Sequence, residues 1–583
     1  MSMEPLFEVV TEYGTLQKHV HQLESAKVLG IDTETTGLDP IQDKLRLVQI
    51  ATRGYLTILF DMVRVDEPTL SFLRELLCGH AVKVFQNAKF DMKFLRQAGL
   101  PVAGRVFDTY IAGHLLRQTT GLAKFGLDTL VQHYLSVDLP KQEQTSDWTG
   151  DLSQAQYLYA ARDAAILLPL RDAMIRGLLS EDMMDVARLE FGCLSAVVEM
   201  ELTGIQLDLG RWQQLGKQLE QQREQASIAL RRLLRKPAIQ LSLFGEDTEA
   251  LNLDSHHQVL KALKNEGIPI TNTSKSQLVP LAGQYPVLQQ LLDYRRAAKV
   301  LQAFIYSIPQ TIHPVSGRLH PQYHQIGAST GRFSCGHPNL QQIPRSKEFR
   351  SCFVAKPHHK LVIADYSQIE LRVIAEMSHD KTMMEAYATG QDLHRLTASL
   401  VANKPLNDVT KHERQAAKAI NFGLVYAMGA RGLKAYAETT YGVRMTLDEA
   451  ETFRKRFFEA YSGVANWHKS VRMSSLSVTR TLGGRKHRWK QGTGVSGLYN
   501  WSVQGTAADI VKRALADLVN NLSGTTAKII GMVHDEIIVE THRSEAEQTA
   551  KILKETMENA GAQFLHRVPV IAETTVANNW AEK

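Results

Sequence analysis

Cysteine is scarce: the 583 residues hold four (Cys78, Cys193, Cys335, Cys352), and no two form a CxxC pair. That excludes a disulfide framework and a cysteine-built zinc site, and it fits a reducing compartment. No apolar run is long enough to span a bilayer. The N-terminus, Met1-Ser2-Met3-Glu4-Pro5, has neither the basic and apolar regions of a secretory signal nor the arginines of a transit peptide. There is no repeat at solenoid period and no long low-complexity tract. Neither sign of charge dominates: 67 Lys and Arg against 61 Asp and Glu leave a net +6. That surplus permits a polyanion partner if the positive charge gathers on one face. What remains is the composition of an ordinary globular protein, 44% hydrophobic and 22% charged. The chain is too long for one domain, and three or four are expected.

One stretch organises the chain: Leu361-Val362-Ile363-Ala364-Asp365-Tyr366-Ser367-Gln368-Ile369-Glu370-Leu371-Arg372. Its apolar, β-branched opening reads as a buried strand that ends on Asp365. A carboxylate there is costly unless something positive sits on it. A second stretch, Gly531-Met532-Val533-His534-Asp535-Glu536-Ile537-Ile538-Val539-Glu540, sets an acidic pair between two apolar runs, as at a hairpin turn. If the strands are neighbours, Asp365 and Asp535 face each other and can clamp two divalent ions about 3.5–4 Å apart for in-line phosphoryl transfer. Two unrelated surface aspartates at strand ends would read the same way, so either stretch alone leaves the question open.

Val28-Leu29-Gly30-Ile31-Asp32-Thr33-Glu34-Thr35 reads as a strand, with Asp32 and Glu34 two apart and on one face. Gln86-Asn87-Ala88-Lys89-Phe90-Asp91 and Tyr157-Leu158-Tyr159-Ala160-Ala161-Arg162-Asp163 follow; the latter is helical, with Tyr159 and Asp163 on one face. Four acids and a tyrosine can hold two metals, orient a water and hydrolyse a phosphodiester. The set, in this order, resembles the tyrosine-bearing DEDD 3′–5′ exonucleases. The resemblance implies a ribonuclease-H-like fold over 1–185, two Mg²⁺ ions (or Mn²⁺) on Asp32, Glu34, Asp91 and Asp163, and Tyr159 holding the attacking water.

Residues 186–320 read as helical, with bases gathered at Arg231, Arg232, Arg235 and Lys236. Such helices either grip a duplex backbone without reading sequence or present a solvated face. An insertion near 237–250 carries Gln240-Leu241-Ser242-Leu243-Phe244. Exposed Leu-x-Leu-Phe is unusual unless a partner binds it or it packs inward. The pentapeptide resembles the motif by which bacterial proteins engage the sliding clamp, which implies Gln240, Leu241, Leu243 and Phe244 as a clamp contact.

In 321–583, Arg414, Lys418, Phe422 and Tyr426 recur every fourth residue, giving one helix face about 18 Å long. Two cations at one end and two aromatics at the other match the phosphates and base of a nucleoside triphosphate. Asn500 and Gln504, four apart on a helix, can read minor-groove acceptors. The blocks TGRFS, PNLQQIP, DYSQIELR, RQAAKAINFGLVY, NWSVQGTAAD and VHDE together resemble family A DNA polymerases of the Klenow-like group. That implies an α/β multidomain enzyme: a ribonuclease-H-like domain, then a right hand with thumb (186–320), palm and fingers (roughly 378–465). It implies catalytic Asp365 and Asp535 with Glu536 beside them, metals at Asp365, Tyr366 and Asp535, and Lys418 as a charge neutraliser and proton donor. Gln368 and His394 would meet the dNTP, Glu370 would block a ribose 2′-hydroxyl, and Tyr366 would lie beneath the sugar. Arg332, Asn339, Gln341, Asn500, Gln504 and His534 would follow primer and template. Ala427, Ser496 and Cys335 depart from the family pattern. The expectation is a monomeric, proofreading DNA polymerase of a bacterial cytoplasm or phage-infected host, with no 5′-nuclease domain and no membrane. The rivals are a single-subunit RNA polymerase relative and a non-catalytic nucleic-acid scaffold.

Overall fold

A computed structural model describes residues 5–54, 56–140, 142–234, 251–473, 477–490, 492 and 494–583. Gln240, Leu241, Leu243 and Phe244, with the bases Arg235 and Lys236, lie outside the described residues.

The N-terminal sheet has β1 (Phe7–Val10), β2 (Val28–Thr35), β3 (Leu45–Ala51), β4 (Thr57–Asp61), β5 (Val82–Phe85) and β6 (Val106–Asp108). Their order is β1-β4-β3-β2-β5-β6. β2, β3 and β4 run antiparallel, while β1, β5 and β6 join parallel to their neighbours. Two helices carry its functional side chains: α1 (Ala88–Gln97) and α2 (Gln154–Ser180). α2 starts at a capping box formed by Ser153 and Gln156. It lies close against β2 because residue 30 is glycine. A Cβ there would fall 2.4 Å from the Ala164 carbonyl oxygen.

α3 (Met184–Thr203) joins the two halves of the molecule. Phe191, Leu194 and Val198 enter the N-terminal core, while Cys193, Ala196, Val197 and Met200 enter the C-terminal one. α4 (Leu209–Leu233) and α5 (Pro286–Val300) pack together as an arm with a small core of its own around Leu230, Leu263, Leu288 and Leu291. The sequence reading gives all of 186–320 to that arm. α3 stands outside it because both of its apolar faces are already covered.

The C-terminal part runs β7 (His359–Tyr366), α6 (Ile369–Ser378), α7 (Leu393–Ala402), α8 (Lys411–Leu424), β8 (Val478–Arg480), β9 (Lys486–Arg488), α9 (Val495–Asn521), β10 (Lys528–Val533), β11 (Glu536–His542), α10 (Ala546–Ala562) and β12 (Ala572–Ala577). β10-β11-β7-β12 form one antiparallel sheet. α10 covers β7 and β12, and α9 packs between α10 and α3. No helix among the described residues is long and apolar enough to cross a membrane.

Candidate active sites

The N-terminal acids converge. Asp32 and Glu34 stand on β2, Asp91 in the first turn of α1, and Tyr159 and Asp163 on α2. Burial pushes Asp32 well above the usual carboxylate range, and the charges of Asp91, Glu34 and Asp163 add to it. Glu34 is raised by burial, then by Asp163 and Asp91. Burial lifts Asp91 to about 8 although the Thr33 hydroxyl donates to it at 2.7 Å. It lifts Asp163 to about 6 despite a hydrogen bond from Tyr159. The Tyr159 hydroxyl is itself pushed up, by burial and then by Asp163, Glu34 and Asp32, so it stays protonated and donates. The start of α1 is held by Asp108, which accepts from the backbone N–H of Asn87 (3.1 Å) and Ala88 (2.9 Å). Sequence reasoning missed Asp108, the last residue of β6.

In the C-terminal sheet Asp365 sits opposite Glu536 across β7 and β11, and Asp535 lies in the turn between β10 and β11. The hairpin reading of 531–540 therefore holds. Burial and then Asp365 raise Asp535 to about 6. These residues line a cleft of about 680 Å³ with Gln368, Glu370, Phe422, Arg332, Gln341 and His534. Glu370 is fixed from two sides: Arg332 forms an ion pair with one oxygen, and the Tyr426 hydroxyl donates to the other at 2.5 Å. Asn339 accepts from the Gln341 backbone N–H and caps that turn.

Several expected positions differ. Tyr366 is buried and its hydroxyl donates to the Met557 carbonyl at 2.7 Å, so its ring points into the sheet's core, not beneath a sugar. Its backbone N–H does meet the Asp535 carbonyl, at 3.3 Å. His394 is 3% exposed; its Nδ1 faces the Asn421 amide at 2.9 Å, and burial pulls its pKa down to about 4. It backs Phe422, with ring centroids 5.8 Å apart, and does not line the cleft. α8 begins at a capping box, Thr410 and Glu413, and stops at Leu424. Tyr426 thus lies beyond the helix, in a turn where Ala427 takes φ +60°. Arg414 gives its Nε–H to Asp392 at 2.6 Å. Lys418 has no carboxylate at ion-pair distance among the described residues. Glu536 is enclosed by the Arg350 guanidinium (3.3 Å), the Trp580 indole and the Lys583 ammonium.

Two family profiles match: one described as DNA polymerase family A over residues 216–582, the other as 3′-5′ exonuclease over residues 7–178. The chain belongs to DNA polymerase family A. Among its relatives, DNA polymerase I of Aquifex aeolicus is 33% identical over 606 residues, covering 99% of this chain and all of that one. DNA polymerase I of Pseudomonas aeruginosa is 31% identical over 626 residues, and the match spans only 66% of its length. Among solved structures, the POL domain of Pol1 from M. smegmatis, in complex with DNA primer-template and dNTP, superposes with a TM-score of 0.83 at 26% identity over 99% of both chains. The family A polymerase domain and the exonuclease domain give template-directed DNA synthesis with proofreading.

The family A assignment gives two further details their meaning. Within α9, from Leu498 to Lys512, only Asn500 and Gln504 keep any appreciable exposure. The Asn500 Oδ1 has no hydrogen-bond partner among the described residues. Ala427, at φ +60°, occupies the left-handed backbone region that favours glycine. Family A polymerases are divalent-metal enzymes, and both acid clusters suit such ions. In the exonuclease cluster the charges of Asp91, Glu34 and Asp163 raise Asp32, those of Asp163 and Asp91 raise Glu34, and the charge of Arg162 partly offsets the rise of Asp163. In the polymerase cleft one oxygen of Asp365 is buried without a donor, while the other already holds a cation, the Lys583 ammonium. No three such side chains close around one point among the described residues.

Proposed function

We propose that nucleotide addition runs at Asp365 and Asp535, and that mispaired 3′ ends are removed at Asp32, Glu34, Asp91 and Asp163. Each site would use two divalent ions, Mg²⁺ or Mn²⁺, which when bound neutralise developing charge and activate the attacking oxygen. One observation carries the reading: two separate sheets each bring acids together, Asp32, Glu34, Asp91 and Asp163 at one, and at the other Asp365 beside Asp535, which burial and then Asp365 push up.

The side chains divide the remaining work. Lys418 and Arg414 would hold the triphosphate, with Asp392 fixing the direction of Arg414. Phe422 lines the cleft where the base would stack. Glu370, clamped by Arg332 and Tyr426, is a rigid wall against a ribose 2′-hydroxyl. Asn500 and Gln504 would meet minor-groove acceptors. Tyr159 stays protonated and would orient the water that attacks the 3′-terminal phosphodiester.

Primer extension separates the two sites. Asp365→Ala should abolish extension and keep shortening of the primer without dNTPs. Asp32→Ala with Glu34→Ala should do the reverse. If either variant lost both activities while folded, the two-site reading would fail.

Gln240, Leu241, Leu243 and Phe244 would tether the polymerase to a bacterial-type sliding clamp; the support is the pentapeptide itself and the bacterial relatives. Leu243→Ala with Phe244→Ala should remove stimulation of synthesis by added clamp and leave unstimulated synthesis intact. Stimulation that survived both substitutions would rule this partner out.

A further inference from the structure

Four charged side chains form a sealed group where the two halves meet. Glu190 on α3 and Lys512 and Asp509 on α9 are fully buried, and Arg485, just before β9, is 3% exposed. The Glu190 carboxylate accepts from Lys512 Nζ and Arg485 Nη2, both at 2.5 Å. Arg485 also donates to Asp509, at 2.7 Å from Nη2 and 2.9 Å from Nε. The second Asp509 oxygen accepts from the Thr481 hydroxyl at 2.7 Å. Gln325 completes Glu190 by donating to its carboxylate (3.2 Å) and to its carbonyl (2.9 Å). Two cations and two anions leave the group neutral, which is the condition for keeping such charges out of water.

The group supports the turn that carries Arg332. Gly331, at φ +85°, lies directly on the Arg485 guanidinium. A Cβ on Gly331 would stand 2.7 Å from Arg485 Nε and 2.8 Å from Cζ. Lys512 lies 5.2 Å from the centre of the Phe333 ring. The same turn receives α9: a Cβ on Gly505 would fall 3.0 Å from the Thr330 carbonyl oxygen, and the Trp501 indole donates to the Ser329 carbonyl at 2.9 Å. Arg332 then reaches forward to Glu370, and α9 turns Asn500 and Gln504 outward.

We propose that Glu190, a residue of the helix joining the two domains, is a positioning residue of the polymerase site. Through Arg485 it fixes the 330–332 turn, and so the placement of Arg332 against the primer strand. The inference rests on the reading of Arg332 as a DNA contact. Glu190 touches neither DNA nor dNTP; its effect is on how well a DNA grip is formed before DNA arrives.

Glu190→Gln alone leaves a buried cation without its counter-charge, and that variant is expected to unfold. The charge-balanced pair Glu190→Gln with Lys512→Met keeps the Arg485–Asp509 contact and is the variant to measure. Its KM for primer-template should rise about tenfold, while kcat for extension and the hydrolysis of a single-stranded oligonucleotide stay within about twofold of wild type. A loss of folded protein would instead lower kcat and the hydrolysis in proportion and leave KM unchanged. Arg332→Ala should raise the same KM, and adding Arg332→Ala to the pair should raise it no further, because both act through one side chain. A normal KM in the pair beside a raised KM in Arg332→Ala would overturn the proposal alone. A normal KM in Arg332→Ala would overturn the reading of Arg332, and the proposal with it.

Discussion

Asp91 and Asp163, pushed to about 8 and about 6, hold their protons more tightly in the folded protein than the ordinary carboxylate of an unfolded chain, near 4. Asp32 and Glu34 are raised in the same direction. Without metal, the folded state therefore binds more protons than the unfolded state between about pH 4 and about pH 8, and the stability these groups contribute falls as pH rises through that window. Divalent ions need the carboxylates deprotonated, so binding displaces those protons. Added Mg²⁺ should raise the melting temperature more at about pH 8 than at about pH 5.5, measured against EDTA at each pH. An equal gain at both would count against a metal-holding cluster. Carboxylate identities were legible in the sequence because they interrupt apolar strand runs or share a helix face with a second polar residue. Their partners were not: Thr33, which donates to Asp91, and Trp580, which donates to Glu536, are ordinary residues until the fold turns them toward the acids.

Among elements, the contact between α2 and β2 decides whether the exonuclease acids meet. Gly30 lies two residues before Asp32, and Ala164 directly follows Asp163. Gly30→Ala must push the helix away from the strand, since the nearest obstacle is a backbone oxygen at 2.4 Å. A displacement of that order should lower exonuclease turnover about a hundredfold and leave primer extension unchanged. Wild-type shortening by Gly30→Ala would mean that the spacing of these elements does not govern the site. Periodicity found α8 and α9, but a four-residue spacing has no knowledge of where a helix stops. Tyr426 fits the stripe by count and lies past its end, because the chain leaves the helix at Leu424. His394 shows the opposite limit: a polar residue near a site reads as a contact until burial places it behind Phe422.

At the scale of the whole molecule, α3 makes the exonuclease and polymerase parts one body. Lys89 and Lys93 on α1 pair with Glu201 at 2.7 and 3.0 Å, and Arg96 pairs with Glu199 at 2.8 Å. Glu199 also accepts from the Ile529 backbone N–H of β10 at 2.9 Å. On the other side of the joint, Lys486 and Arg488 of β9 pair with Glu181 at 3.1 and 2.7 Å. Interfaces inside a chain are more often loose and polar. Here buried charge crosses the boundary, so calorimetry should show one unfolding transition for both parts. Two resolved transitions would show that the parts melt independently. Sequence reading placed the domain line near 185, at the start of α3, because local pattern cannot tell which of two cores a helix serves when it serves both.

The acids of α3 set a rule for engineering. A proofreading-free variant could be made by cutting away the nuclease part. In this chain such a cut would remove Lys89, Lys93 and Arg96 and strand Glu199 and Glu201 on a newly wetted surface, beside the strand that leads to Asp535. Two point substitutions at Asp32 and Glu34 silence the same chemistry and leave every one of those pairs in place. The scissors, not the missing activity, would be what harms the polymerase.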